Sequence, residues 1–169
     1  MAAALAAAAQ ALLAQGQPAQ AKALLRELDE LDPTQADLMG SSEFPSLLRV
    51  VLALEEVPLA QRLTAGIDPV TPLDEHVLAT SRAQLAEAAG DHANAARLYA
   101  DAATQWQEFG NVPERAYALL GQGRCLRSLG DPEADGPLRE ARELFESMGY
   151  TPALAETAGL LGESEAAAV

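Results

Sequence analysis

The sequence predicts an all-α chain of stacked antiparallel helix pairs, and three observations carry that expectation. Alanine and leucine supply most of a hydrophobic content of 49%, while aromatic residues make up only 4%. Alanine gives up no side-chain entropy in a helix and lets neighbouring helices approach closely. Glycines and prolines are frequent but spaced, which reads as punctuation between helices and not as disorder. Finally, similar breaks recur: Gln15-Gly16-Gln17-Pro18, Glu56-Val57-Pro58, Gly90-Asp91-His92 and Gly130-Asp131-Pro132. With Gly16, Glu56, Gly90 and Gly130 taken as equivalent, the spacings are 40, 34 and 40 residues. A period of roughly 20–50 residues with two helices per period marks a helical repeat array.

The elements follow in order. Nine helices are expected at about 2–15, 18–31, 43–55, 58–66, 72–89, 92–109, 112–129, 132–148 and 151–162. Leu24, Leu25, Leu28 and Leu31 form the apolar stripe of the second. Tyr99, Ala102, Ala103 and Trp106 form that of the sixth; Leu138, Ala141, Leu144, Phe145 and Met148 form that of the eighth. The breaks within and between pairs share a chemistry. Glycine suits the left-handed position just past a helix, and proline suits the first turn, where no amide donor is needed. Gly110-Asn111-Val112-Pro113 and Gly149-Tyr150-Thr151-Pro152 repeat a G-x-x-P frame 39 residues apart, and Asp32-Pro33 and Asp68-Pro69-Val70-Thr71-Pro72 play the same part earlier. Thr71, Asp91, Asn111, Asp131 and Thr151 are the expected N-caps, with Asn111 and Glu114 as a capping-box-like pair. The linker Gly40-Ser41-Ser42 and the short helix near 58–66 make the second pair irregular.

Charge narrows the partners. Eleven basic against 25 acidic residues leave a net charge of −14. Such a surface repels phosphate backbones and anionic lipid, so neither nucleic acid nor a membrane surface is an expected partner. No apolar run approaches the ~20 residues of a membrane span. The apolar start Met1 to Ala9 lacks a positive leader region and reads as a packed first helix. A lone cysteine, Cys125, forms no internal disulfide and fits a reducing cytoplasm. Lys22 is the single lysine among the eleven basic residues, which with the alanine content points to a high-GC bacterial genome.

The tetratricopeptide pattern can be laid on these residues: Leu5, Ala8, Ala9 and Leu12, then Ala21, Leu25, Leu28 and Pro33; Ala79, Ala83 and Ala86, then Ala95, Tyr99 and Ala102; Leu119, Gly123 and Leu126, then Ala134, Leu138 and Ala141 after a one-residue slip. Arg82 falls on an expected apolar position, and the second unit matches only at Leu48, Leu52 and Pro58. The chain therefore resembles a tetratricopeptide array. That implies a right-handed superhelix of about four pairs in one domain over 1–169, with units near 2–33, 35–70, 72–110 and 112–149 and a capping helix at 151–162. From about Leu85 to Leu161, through Leu119–Leu126, Leu129–Pro132 and Pro137–Phe145, it is similar to the C-terminal arrays of ATP-dependent LuxR-type regulators and ATPase-linked adenylate or guanylate cyclases. The resemblance implies a non-catalytic regulatory module in a larger signalling protein. It would hold a protein or peptide, the ATPase or output domains of its own chain included. A free-standing adaptor or co-chaperone is the alternative.

No constellation calls for catalysis, a cofactor or a metal. Gly121-Gln122-Gly123 lacks the third glycine and the preceding strand of a dinucleotide turn, and reads as a helix-packing face. His76 and His92 lie near different helix starts without partners at ligand spacing. Cys125 reads as a small buried hydrophobe. In the tetratricopeptide family the first helix of each pair lines the binding groove, and the resemblance carries its contact positions onto Gln10, Val50, Gln84 and Arg124, with Glu87, Tyr117 and Arg127 one turn away. The candidate partner-binding residues are thus Gln84, Glu87, Tyr117, Arg124 and Arg127. Arg124 and Arg127, i,i+3 neighbours on a chain poor in positive charge, admit two readings. They anchor a partner's carboxylate through forked hydrogen bonds, or they pair with Glu87 or acids of the adjoining helix.

Overall fold

A computed structural model describes residues 2–30, 43–65 and 67–167, with the backbone alone for residues 2, 3 and 163–167. The described residues contain nine α-helices and no strand: α1 (Ala2–Ala14), α2 (Pro18–Glu30), α3 (Phe44–Ala53), α4 (Val57–Ala65), α5 (Pro72–Ala88), α6 (His92–Phe109), α7 (Val112–Ser128), α8 (Asp135–Met148) and α9 (Thr151–Ala167). The Asp32-Pro33 break and the Gly40-Ser41-Ser42 linker lie outside the described residues. Two compact units divide the chain, residues 1–81 and 82–169, with the division inside α5.

Among the described residues, six helix ends close by one hydrogen-bond scheme, in which one amide reaches back three residues and the next reaches back five. The pairs are Gly16 to Leu13 and Gln17 to Leu12, Glu55 to Leu52 and Glu56 to Val51, Gly90 to Glu87 and Asp91 to Ala86; then Gly110 to Gln107 and Asn111 to Trp106, Gly130 to Arg127 and Asp131 to Leu126, Gly149 to Glu146 and Tyr150 to Phe145. This is the Schellman closure, and it needs a left-handed residue at its first position. Five of the six are glycines; the sixth is Glu55, at φ +62°. The equivalent of Gly16, Gly90 and Gly130 is therefore Glu55 and not Glu56, because the geometry depends on hydrogen-bond register and not on residue type. A side chain in that conformation costs roughly 1 kcal/mol. Glu55→Gly is accordingly expected to raise stability by about 0.5–1 kcal/mol in urea unfolding.

The N-caps follow the expected chemistry with two departures. Asp91 accepts from the Asn94 amide (3.4 Å) and Asn111 from the Glu114 amide (3.0 Å). Asp131 accepts from Glu133 (2.9 Å), two residues on, because Pro132–Ala134 forms a single 3-10 turn before α8 begins at Asp135. Thr71 forms a reciprocal box with Asp74: the Asp74 amide donates to the Thr71 hydroxyl (3.3 Å) and the Thr71 amide to the Asp74 carboxylate (2.8 Å). Thr151, by contrast, sits inside the first turn of α9, and its hydroxyl donates back to the Gly149 carbonyl.

In the first unit, α1 packs on α2 and α3, and α3 on α4. Its buried side chains include Ala9, Ala21, Leu25, Leu28, Phe44, Leu47, Leu48, Val51 and Leu63. The Gln10 amide donates to the Ser46 hydroxyl (2.8 Å), and Arg62 of α4 forks onto Asp29 of α2 at 2.7 Å to each oxygen. In the second unit, α7 lies against α6 and α8, and α9 against α8 with a lighter contact to α7. Trp106, Leu120, Leu138 and Phe145 are fully buried there, with alanines 95, 102, 116, 134 and 141 letting the helices close in. Arg82 is exposed, and Ala83 beside it is buried.

Candidate functional site

Glycine decides how close α7 comes to its neighbours. A Cβ built on Gly121 would sit 2.5 Å from Cζ of Tyr99 on α6, and one on Gly123 would collide with Leu138 of α8. The Gly121-Gln122-Gly123 segment is thus a two-sided packing face, one glycine serving each flanking helix. It also fixes the approach of the Tyr99 ring, which is 3% exposed. One turn on from Gly121, and on the same side as Tyr99, α7 presents Arg124.

Arg124 joins three helices. Its Nε and Nη2 donate to the two carboxylate oxygens of Glu87 at the end of α5 (2.5 and 2.8 Å), and its Nη1 donates to Glu156 of α9 (2.8 Å). The Tyr99 hydroxyl donates to Glu87 Oε2 at 2.7 Å. The Glu87 side chain is 17% exposed, Arg124 36% and Glu156 47%, so the inner edge of the guanidinium is dry and the outer edge faces water. Forked charge-assisted bonds of this kind are the strong class of side-chain hydrogen bond.

The electrostatics follow from that geometry. Burial alone would raise the Glu87 pKa, but the Arg124 hydrogen bonds and charge, with the Tyr99 hydroxyl, outweigh it and hold the carboxyl below its ordinary value of 4.5. Burial, then the Glu87 charge, push the Tyr99 phenol well above 10. Burial works against the Arg124 charge, yet Glu87 more than compensates and raises its pKa. Cys125, fully buried beside this cluster, is pushed up to about 12 by burial and then by the Glu87 charge, so its thiol stays protonated and unreactive at neutral pH. A group whose folded pKa is depressed stabilises the fold above its unfolded value and loses that contribution as pH falls through the folded one. Glu87→Gln is therefore expected to shrink the loss of stability of the chain as pH falls below the ordinary carboxyl value of 4.5, measured by urea unfolding at stepped pH.

The five expected binding residues do not form one cluster. Glu87 and Arg124 meet directly. Arg127, three residues on, turns the other way and pairs with Asp135 at the start of α8 (2.5 Å). Tyr117 packs edge-on against the buried Phe145 ring, centroids 5.0 Å apart. Gln84 is 5% exposed and belongs to the interior of α5. Of the equivalent positions in the first unit, Gln10 bonds Ser46 and Val50 is 8% exposed. The geometry thus gives Arg124 and Arg127 internal acidic partners, the second of the two readings. Three contributors escape the sequence reading: Tyr99, taken only as core, Asp135, and Glu156. Glu156 had a usable signal, since it lies 39 residues after Tyr117, the spacing of the G-x-x-P frames.

Among the described residues no His, Cys, Asp and Glu side chains converge in a group of three or more suited to a metal ion, and no helix is long and apolar enough to cross a membrane. No protein-family model matches the chain, and no curated protein or solved structure does so either.

Proposed function

We propose that the chain is a non-catalytic protein-interaction module of tetratricopeptide type, the regulatory part of a multidomain bacterial signalling protein with an ATPase domain. Its partner is a protein or peptide, the ATPase or output domain of its own polypeptide included. The observation that carries this reading is the sixfold repetition of one helix-end closure, at residues 16, 55, 90, 110, 130 and 149. A repeated closure gives successive helix hairpins a common form, and stacked hairpins are an architecture whose use is to present a surface to a partner. On this reading the face carrying Glu87, Arg124 and Glu156 is where a partner's carboxylate would exchange with Glu156 at the wet edge of the guanidinium.

The test begins with the encoding locus and ends with a titration. A continuous reading frame carrying a phosphate-binding ATPase motif is the expected finding, and the ATPase domain it encodes should bind the purified chain saturably. Glu156→Gln, which opens the outer edge of Arg124, should alter that affinity. Turnover of a substrate by the chain itself, lost on changes at Arg124, Tyr117 and Gln84, would overturn the reading.

A further inference from the structure

Antiparallel packing brings the C-termini of α6 and α8 and the N-termini of α7 and α9 to one end of the second unit, where the two G-x-x-P turns lie. Among the described residues, three of that unit's four exposed large hydrophobic side chains are here: Phe109 (48% exposed), Val112 (42%) and Tyr150 (39%). Both rings are propped on fully buried ones. Phe109 stands edge-on to Trp106 at 5.9 Å, and Tyr150 stacks on Phe145 at 6.3 Å and 21°. Aromatic side chains held rigid before binding give contact area at little entropic cost.

The charge at this end runs against what folding favours. A helix C-terminus carries partial negative charge and is stabilised by cations. Yet neither α6 nor α8 has a basic residue in its last turn, while Glu108 and Glu146 lie there, exposed and unpaired among the described residues. The partial charges of the α6 and α8 C-termini and of the α7 and α9 N-termini offset one another at this end, so the exposed Glu108 and Glu146 carboxylates set its sign. Carboxylates beside fixed aromatic rings complement a positively charged segment with apolar side chains.

We propose that this end of the second unit docks a cationic amphipathic segment of a partner protein. Its apolar residues sit on Phe109, Val112 and Tyr150, and its lysines or arginines meet Glu108 and Glu146. The inference goes beyond the proposed function and assumes only that the chain holds a protein.

The probe is a fluorescein-labelled helical peptide with lysines on one face and leucines on the other, titrated against the full chain by anisotropy at about 0.1 M salt. Two comparators are the same peptide with glutamates for lysines, and oligolysine of equal length. The amphipathic peptide should bind saturably and both comparators at least about tenfold more weakly. Phe109→Ser should weaken binding by about tenfold or more, and so should Glu108→Lys combined with Glu146→Lys, while the lysine variant keeps or raises its melting temperature. Val112→Ser repeats the apolar test without touching the Trp106 ring, and Leu129→Ser at the opposite end should change nothing. Equal binding of oligolysine, or binding indifferent to the Phe109, Val112 and lysine variants, overturns the inference. Loss on Glu156→Gln but not on Phe109→Ser would also overturn it, while leaving the proposed function standing. Failure of the ATPase domain to bind, with the peptide still captured here, would do the reverse.

Discussion

Replacing Arg124 by glutamate is expected to cost the fold about 2–4 kcal/mol, or roughly 4–16 °C in melting temperature for a chain of this size. Removing one partner of a buried ion pair leaves the other charge stranded in a dry site, and Glu87 is 17% exposed. The full penalty of about 3–5 kcal/mol for a deeply buried pair is moderated here, because Arg124 keeps 36% of its surface in water. A new carboxylate would also face Glu156 across the position that Nη1 now fills. Adding Glu87→Gln in the same background should recover half the loss or more, since a neutral amide can still accept from the Tyr99 hydroxyl. Denaturant unfolding of the two variants measures both steps. A loss under about 1 kcal/mol for the single variant would place the pair among weak surface bridges.

The second large effect concerns Gly123. Alanine is the better helix former by about 1 kcal/mol, so at an open helical site Gly→Ala should stabilise. At Gly123 the added methyl meets the branched end of Leu138, which is fully buried. Overpacking of this kind costs about 1–3 kcal/mol and is expected to outweigh the propensity gain. Gly162 in α9, where a Cβ would meet nothing within 4 Å, provides the control with the opposite sign. Leu138→Ala should destabilise the native chain yet cost less in the presence of Gly123→Ala. An additive double-mutant cycle would contradict the contact.

Much of the fold was readable from sequence because its determinants are local. Glycine past a helix end, proline in a first turn and an Asp or Asn cap each act within a few residues, and they mark most of the observed boundaries to within a residue or two. Glu55 was misread for the same reason. Its left-handed backbone is imposed by a hydrogen-bond scheme shared with five glycines, and nothing in a glutamate announces it. The 3-10 turn at Pro132–Ala134, where a continuous helix from 132 was expected, likewise depends on hydrogen-bond register that residue type does not announce.

The site was less legible. Arg124 and Glu87 stood out as charges on first helices, but the ligand-facing and internal readings of Arg124 differ only in what lies across from it. That depends on residues 37 and 32 positions away and on rotamers no spacing encodes. Tyr99 looked like core and is core, yet its hydroxyl completes the Glu87 shell. Small residues at Gly121 and Gly123 were correctly read as packing, because no strand precedes them.

The measurement that bears most directly on the proposed function is calorimetric titration of the purified chain with the ATPase domain that we propose shares its reading frame. The account predicts saturable binding and no substrate turnover, with affinity changed by Glu156→Gln while circular dichroism stays strongly helical. Absence of binding, or catalysis by the chain that is abolished at Arg124, would contradict it.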